Sequence, residues 1–423
     1  MKTIKKLRAG ALQFVLFIGA VIAVLLLTFV LLAHSHLFFA KKTTKFIEVV
    51  EKNNLILDYG LSTADINSSN IPASLLNGIT GATEKSYWGL FEKYQTATSF
   101  KKNEFKTVAL VGSSIGDEWP ALFLKDNQRP LVIVSSAKIT GTAFLPEQGI
   151  RPGNISGESY YANRLVYGAM KKSRPALPKL DAQITTNITS LCNQAVTNTN
   201  TRIVLSRNTI LKQSFLGPTQ FVFGDFIDLS GITLVGNIQV VASQGIRVDA
   251  STQLAEVILS APKITVGDGF VGSFQAFASK QITIGNNTTL EYPSALVVKS
   301  KNQFIKKNNN TLMPPSILVK NGSVVKGFII FKDDSEERQF FPQLKIESGT
   351  NIIGQVYCEK SMELKGNIIG SVYTDGFMAL ENGNIYQNHL YKGTINAQAL
   401  QEQFVGMLLT DVESNKKVAK WLY

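Results

Sequence analysis

Seven residues, Asn351-Ile352-Ile353-Gly354-Gln355-Val356-Tyr357, return sixteen positions later as Asn367-Ile368-Ile369-Gly370-Ser371-Val372-Tyr373. A unit this short cannot bury its own apolar face, so like units have to lie on one another, each completing the core of the next. The same logic governs residues 203–300. There three alternating triplets, Ile246-Arg247-Val248, Ile264-Thr265-Val266 and Ile282-Thr283-Ile284, follow at intervals of eighteen. Alternation turns each Ile and Val inward and Arg247 or Thr outward, while Gly245, Gly267 and Gly285 stand beside the triplets at corners. Ile139-Thr140-Gly141 and Ile155-Ser156-Gly157, again sixteen apart, predict the first turns of a stack, with Pro146, Gly149, Pro152 and Gly153 at the corners between them. The expected fold class is mainly β: an N-terminal transmembrane helix, then a β-solenoid (β-helix) of 16–18-residue coils, then a C-terminal capping helix.

The chain has 423 residues, 44% of them hydrophobic, enough for a sizeable core. Its +12 charge is concentrated at one end, because the first 45 residues hold seven basic side chains and no acidic one, which leaves +5 for the rest. Basic residues flanking an apolar run are a matter of membrane topology, so a nucleic-acid partner is not expected. Cys192 and Cys358 match no metal or redox spacing and read as free thiols, with a disulfide the alternative in an exported domain.

From Ala11 to Ala40 there is no Asp, Glu, Lys or Arg. A run of this length exceeds the roughly 20 residues needed to span a bilayer, and no small-residue cleavage site follows it, so the helix is expected to be retained. Lys2, Lys5, Lys6 and Arg8, with the amino terminus, outweigh Lys41, Lys42 and Lys45. This places the N-terminus in the cytoplasm and everything after Lys41 outside it. Basic residues, then Gly10-Ala11-Leu12, then an unbroken apolar helix also resemble a prepilin-like N-terminus. That resemblance implies processing between Gly10 and Ala11, although Val15 stands where the pilin pattern usually has Glu. Signal anchor and pilin-like helix both remain open. Phe46, Ile47, Val49, Val50 and Ile56 continue a helical face beyond the bilayer.

The expected organisation is a basic cytoplasmic segment (1–10), the transmembrane helix (11–40), and a membrane-proximal helix with loops (41–106), with strands beginning near Thr107. Short strands and first coils follow (107–170), then a linker with a short helix started by Asp181 (171–202). A solenoid block (203–300), a loop (301–316) and a second block (317–395) lead to a C-terminal helix and tail (396–423). Leu400, Phe404 and Leu408 supply the helical spacing at the end, where a cap would cover the last unpaired strand edge. The closing Trp421-Leu422-Tyr423 reads as a partner-binding tail or as a segment docked on the chain itself.

The Gly-x-Val-x pattern with a glycine corner at sixteen to eighteen residues resembles the β-helix of bactofilins, polymer-forming bacterial cytoskeletal proteins, over Ile317 to Ile395 and more loosely over Ile203 to Lys299. The resemblance implies a rigid rod that self-associates beside a membrane. The spanning helix and the extracytoplasmic side depart from that pattern.

Chemistry is sparse. Ile353-Gly354 and Ile369-Gly370 are similar to the hexads of left-handed acyltransferases, which use a histidine base, but the hexads do not continue and His389 lies at the end of the stack. Asp333, Asp334, Glu336 and Glu337 fall in one polar excursion, read as a solvated loop with calcium the alternative. Tyr160, Tyr161 and Tyr167 could pack as core or bind sugar rings. No catalytic, cofactor-binding or metal-binding residue is assigned and no cofactor is expected.

The function expected is a non-catalytic scaffold or assembly protein of the bacterial cell envelope. It would be single-pass in the inner membrane with its C-terminal region periplasmic, and its partners would be that membrane, envelope or filament-assembly proteins and other copies of itself. A minor pilin-like subunit of a type IV pilus or secretion machine is the alternative. A carbohydrate-binding or carbohydrate-acting β-helix protein is the second.

Overall fold

The computed structural model describes residues 9–63, 71–116, 119–193, 205–300, 314–335, 340–410 and 415–422. The basic segment through Arg8, the Asn-rich stretch 301–313, Glu336, Glu337 and Tyr423 lie outside these residues. The fold is mainly β with one long apolar N-terminal helix. The chain divides into two compact units. One holds the helix to Gly60 with Asp65–Thr83 and Thr96–Lys106, and the other holds Leu61–Ala64, Glu84–Gln95 and everything from Thr107.

In the first unit the helix Ala9–Ser62 runs 54 residues, about 80 Å at 1.5 Å per residue. Its large apolar side chains from Leu12 to Phe39 are exposed, and it is long and apolar enough to cross a membrane. Its character changes at Val49. From there Val49, Asn53, Ile56 and Leu57 are buried along one face. Thr98 Oγ1 donates to the Val49 carbonyl at 2.9 Å, Thr96 Oγ1 donates to Asn53 Oδ1 at 2.9 Å, and the Phe46 and Phe105 rings meet edge to face.

These contacts correct the expected loops of 41–106. Strands Thr80–Trp88, Phe91–Phe100 and Asn103–Ser114 precede and include the expected start at Thr107. In Phe91–Phe100 the inward Thr96 and Thr98 bury hydroxyls on partners rather than hydrocarbon, so no apolar alternation marks that strand in the sequence.

In the second unit most strand pairs are parallel, and the pairing path closes as a barrel. The triplets align as their spacing predicts: Ile246 with Ile264, Ile264 with Ile282, then Ile282 with Ile317, so the ladder continues past the 301–316 interruption. Asn351–Tyr357 pairs residue for residue with Asn367–Tyr373. Val240, Leu259, Ala276, Leu296, Ile329, Val356, Val372 and Leu122 are successive partners, all fully buried. Strand Leu122–Leu124 therefore joins the ladder beyond Asn367–Glu381, although it precedes that strand by more than 200 residues in sequence.

Gly327, Gly354 and Gly370 are aligned at φ of +141°, +144° and +142°. A Cβ on Gly354 or Gly370 would overlap the carbonyl oxygen of the glycine on the rung before it, so the rungs approach closely only because the position is glycine.

Two expectations fail here. Ile139 pairs with Ile395, not with Ile155, whose strand Asn154–Ile155 turns back antiparallel onto Glu158–Ser159. The sixteen-residue echo is thus a coincidence of two turns. Residues 396–423 contain no helix among those described. Val405–Gly406 and Lys416–Leu422 are strands on Asn103–Ser114. Between Leu400 and Leu409 the chain instead presses Phe404, Val405, Met407 and Leu409 onto neighbouring structure, and Met407 N donates to the buried Gln355 Oε1 at 2.6 Å. Gly406, which disfavours a helix interior, lies against the Trp119 ring, where a Cβ would not fit. The other predicted helix is present as Ala182–Cys192, with Asp181 Oδ1 accepting from the amides of Gln183 and Ile184.

Candidate functional site

Phe331, Cys358, Thr374 and Leu124 are successive register partners. The residue after each is Lys332, Glu359, Asp375 and Lys125. A charged side chain thus follows directly on the last of these aligned positions on four neighbouring strands, just where the pairing of Asn351–Leu364 with Asn367–Glu381 shifts register. Lys332 Nζ lies 2.6 Å from Glu359 Oε1, and Lys125 Nζ lies 2.8 Å from Asp375 Oδ1. The two carboxylates on the middle rungs are thus each held by a lysine on an outer rung.

Glu359, Asp375 and Lys125 line a groove of about 930 Å³ that Arg129, Lys179 and Phe340 also border. Asn127 Nδ2 donates to the Asp375 carbonyl at 2.7 Å, and Arg129 Nη1 donates to Gln387 Oε1 at 3.0 Å. The Asn388 amide ties the Arg129 loop down through the Arg129 and Pro130 carbonyls at 3.2 and 2.7 Å. Tyr357 presents its hydroxyl to the Pro178 carbonyl at 3.1 Å and fixes the opposite wall next to Lys179. Sequence reasoning missed this site, yet a signal exists: each buried triplet, Ile329-Ile330-Phe331, Val356-Tyr357-Cys358, Val372-Tyr373-Thr374 and Leu122-Phe123-Leu124, is followed at once by a charge.

A second ionic cluster lies elsewhere in the same unit. Glu92, buried, takes Lys85 at 2.7 Å and Lys416 at 2.8 Å on its two oxygens, and the Tyr94 hydroxyl donates to it at 3.2 Å. Burial, and then the Glu92 charge, push the Tyr94 phenol well above its ordinary value. For Lys85 burial works against the charge, but the bond to Glu92 prevails and raises it. This fully partnered group fastens the last strand.

The positions singled out in the sequence are scattered. Gly10 and Ala11 are exposed on the long helix. Leu422 is buried opposite Val108, and Trp421, opposite Ala109, remains 41% exposed. Asp333 Oδ1 accepts from Ser335 N, and Asp334 pairs with Lys299 at 3.0 Å. No cluster with metal-ligand character occurs among the described residues. His389 is half-buried, its Nδ1 bonded to the Gln387 carbonyl at 2.6 Å, and burial lowers its pKa. Tyr160 bonds the Arg164 carbonyl, Tyr161 is exposed, and Lys138 stands over the Tyr167 ring at 4.6 Å. Cys192 and Cys358 are free and buried, their thiols pushed up to about 12 by desolvation.

Comparison with protein-family models, with curated proteins and with solved structures finds no match to this chain.

Proposed function

We propose that the protein is a membrane-anchored scaffold of the bacterial cell envelope, with its body built as a β-solenoid on the extracytoplasmic side and without catalytic activity. The observation that carries the reading is the contrast within one helix. Leu12 to Phe39 leave their apolar side chains exposed, whereas Val49 to Leu57 bury one face in protein. Exposed hydrocarbon on that scale is stable in lipid. Parallel strands aligned residue for residue over 324–331, 351–358 and 367–374, with aligned glycines and one unbroken aliphatic ladder, support the solenoid. Such a body supplies stiffness and spaced surface groups. The bactofilin resemblance belongs to this reading as a likeness of repeat.

Carbonate extraction at high pH tests the anchor: the full chain is expected to remain with the membrane, and release into the supernatant would overturn it. A phosphatase fused after Tyr423 is expected to be active, and an inactive fusion beside a working cytoplasmic reporter would reverse the orientation.

The unbroken course of the helix from Ala9 into its protein-packed part favours a second reading, a minor pilin-like subunit. The intact mass of protein from its native membrane decides. A chain beginning at Ala11 supports the filament reading, and one beginning at Met1 or Lys2 the permanent anchor.

A further inference from the structure

We propose that the groove over the charged rungs binds a linear, carboxylate-bearing glycan. This goes beyond the scaffold reading and does not depend on the helix being an anchor. Glu359, Asp375 and Lys125, each the residue after the last aligned position of neighbouring strands, form a polar row along the groove, with Lys332 buried behind Glu359. A ligand that satisfies such an array is itself linear and repeats polar groups along its length.

The strands beneath it, Val324–Asp333, Asn351–Leu364, Asn367–Glu381 and Leu122–Leu124, are already paired with one another through their final apolar residues. The floor therefore offers no free strand edge for an extended peptide to join, and recognition falls to side chains.

The charge balance gives the sign. Glu359 and Asp375 are neutralised by Lys332 and Lys125, and two other charges of the lining, Asp333 and Lys360, are opposite in sign and both bonded to Ser335. On the walls, Arg129 and Lys179 are exposed and have no carboxylate partner among the described residues. Arg129 is held in place through Gln387 and Asn388, so its planar fork is partly pre-organised for a carboxylate. Phe340, 60% exposed at the rim, offers an apolar surface for a sugar ring.

The test uses the full chain in detergent, titrated calorimetrically with oligogalacturonate, a neutral malto-oligosaccharide of equal length, and oligoglutamate. Oligogalacturonate is expected to bind, with the malto-oligosaccharide at least tenfold weaker. Arg129→Gln and Lys179→Gln are each expected to weaken binding about tenfold, the scale of a lost charge-assisted hydrogen bond. Both residues are exposed, so the variants keep the fold, as circular dichroism would verify. Lys212→Gln, on a strand outside the groove, is expected to bind like the parent. No binding of oligogalacturonate overturns the proposal, as does equal loss in all three variants. Oligoglutamate binding as tightly as oligogalacturonate would show that the groove reads charge alone, which also overturns the glycan assignment.

Discussion

The long strands of the second unit are apolar on both faces, and the two faces are built by different rules. The inward side chains Leu296, Ile329, Val356 and Val372 are aliphatic and stack on their own counterparts. The outward ones on the same rungs, Val297, Ile330, Tyr357 and Tyr373, belong to a second cluster. That cluster is covered by Ile184, Ile188 and Leu191 of the short helix and by Phe404, Met407 and Leu409 of the C-terminal segment. A residue on the inner face answers to the rung above and the rung below, so it is aliphatic at every repeat. An outer residue answers to whatever segment happens to cross it. Periodicity is therefore sustained along the inner ladder, whereas on the outer face it is local, as where Tyr357 recurs as Tyr373, and the segments that cover it are single-use pieces.

The sharpest break in this comparison is charge on either side of one strand. Ile264 is 1% exposed between Ile246 and Ile282, and Ile264→Asp would bury an unpaired carboxylate. A loss of more than about 4 kcal/mol is expected, sufficient to abolish the cooperative transition. Thr265→Asp, one position on, points outward beside Arg247 and is expected to shift stability by less than about 0.5 kcal/mol. Equal tolerance of the two in a denaturant titration would mean that the register is wrong.

Backbone approach is the next test. Gly354→Ala combines a φ of +144° with overlap on the Gly327 carbonyl, and about 3 kcal/mol is expected. Gly157→Ala has a φ of +89° but open space around it, so only the conformational part remains, about 1 kcal/mol. If the two cost the same, the close packing of rungs contributes nothing at Gly354.

This difference between ladder and cover also accounts for what was legible beforehand. Ile246, Ile264 and Ile282 announce themselves because each has to fit the next, and Gly354 and Gly370 because only glycine fits. The N-terminal helix was equally plain, since a run long and apolar enough to cross a membrane is read from length and hydrocarbon alone. Leu400, Phe404 and Leu408 mimic a helix because an irregular segment buried against an apolar surface can also place apolar residues four apart, and Gly406 in their midst is the residue that argues against one. The membrane-proximal strands hid behind Thr96 and Thr98. The groove was invisible as a site because its charges are far apart in sequence and meet only once the register is known. Lys125 joins Asp375 from 250 residues away.

The two cysteines probe the cover and the ladder separately. Cys358 lies in the inner cluster and Cys192 in the outer one. Phe404→Ala removes a ring packed against Phe328 and Tyr292. It is expected to cost about 2 kcal/mol, below the usual 3–5 for a central Phe, because the cover can partly collapse. The parent chain should label with a thiol reagent at Cys192 before Cys358, through local opening of the cover. The variant should widen that gap. Identical rates at both positions in both proteins would mean that cover and ladder open as one unit.

The smallest effect concerns the turns between rungs, which belong to neither face. The Asp249 carboxyl is held down to about 2, first by the Ser251 hydroxyl and then by Ser230. A carboxyl depressed in the folded state, against about 3.9 when unfolded, stabilises the fold fully above pH 4. That contribution is lost as pH falls through 2. The group is near the surface, so the effect is screened and modest. On moving from pH 6 to pH 2.5, Asp249→Asn is expected to lose less in Tm than the parent, by on the order of 1 °C. An identical loss in both proteins would mean that the turn's hydrogen bonds to Asp249 are no stronger folded than unfolded, and would leave rung-to-rung order at that corner to the apolar ladder and to bonds such as Gly231 N to Ser251 Oγ and Thr252 Oγ1 to the Leu229 carbonyl.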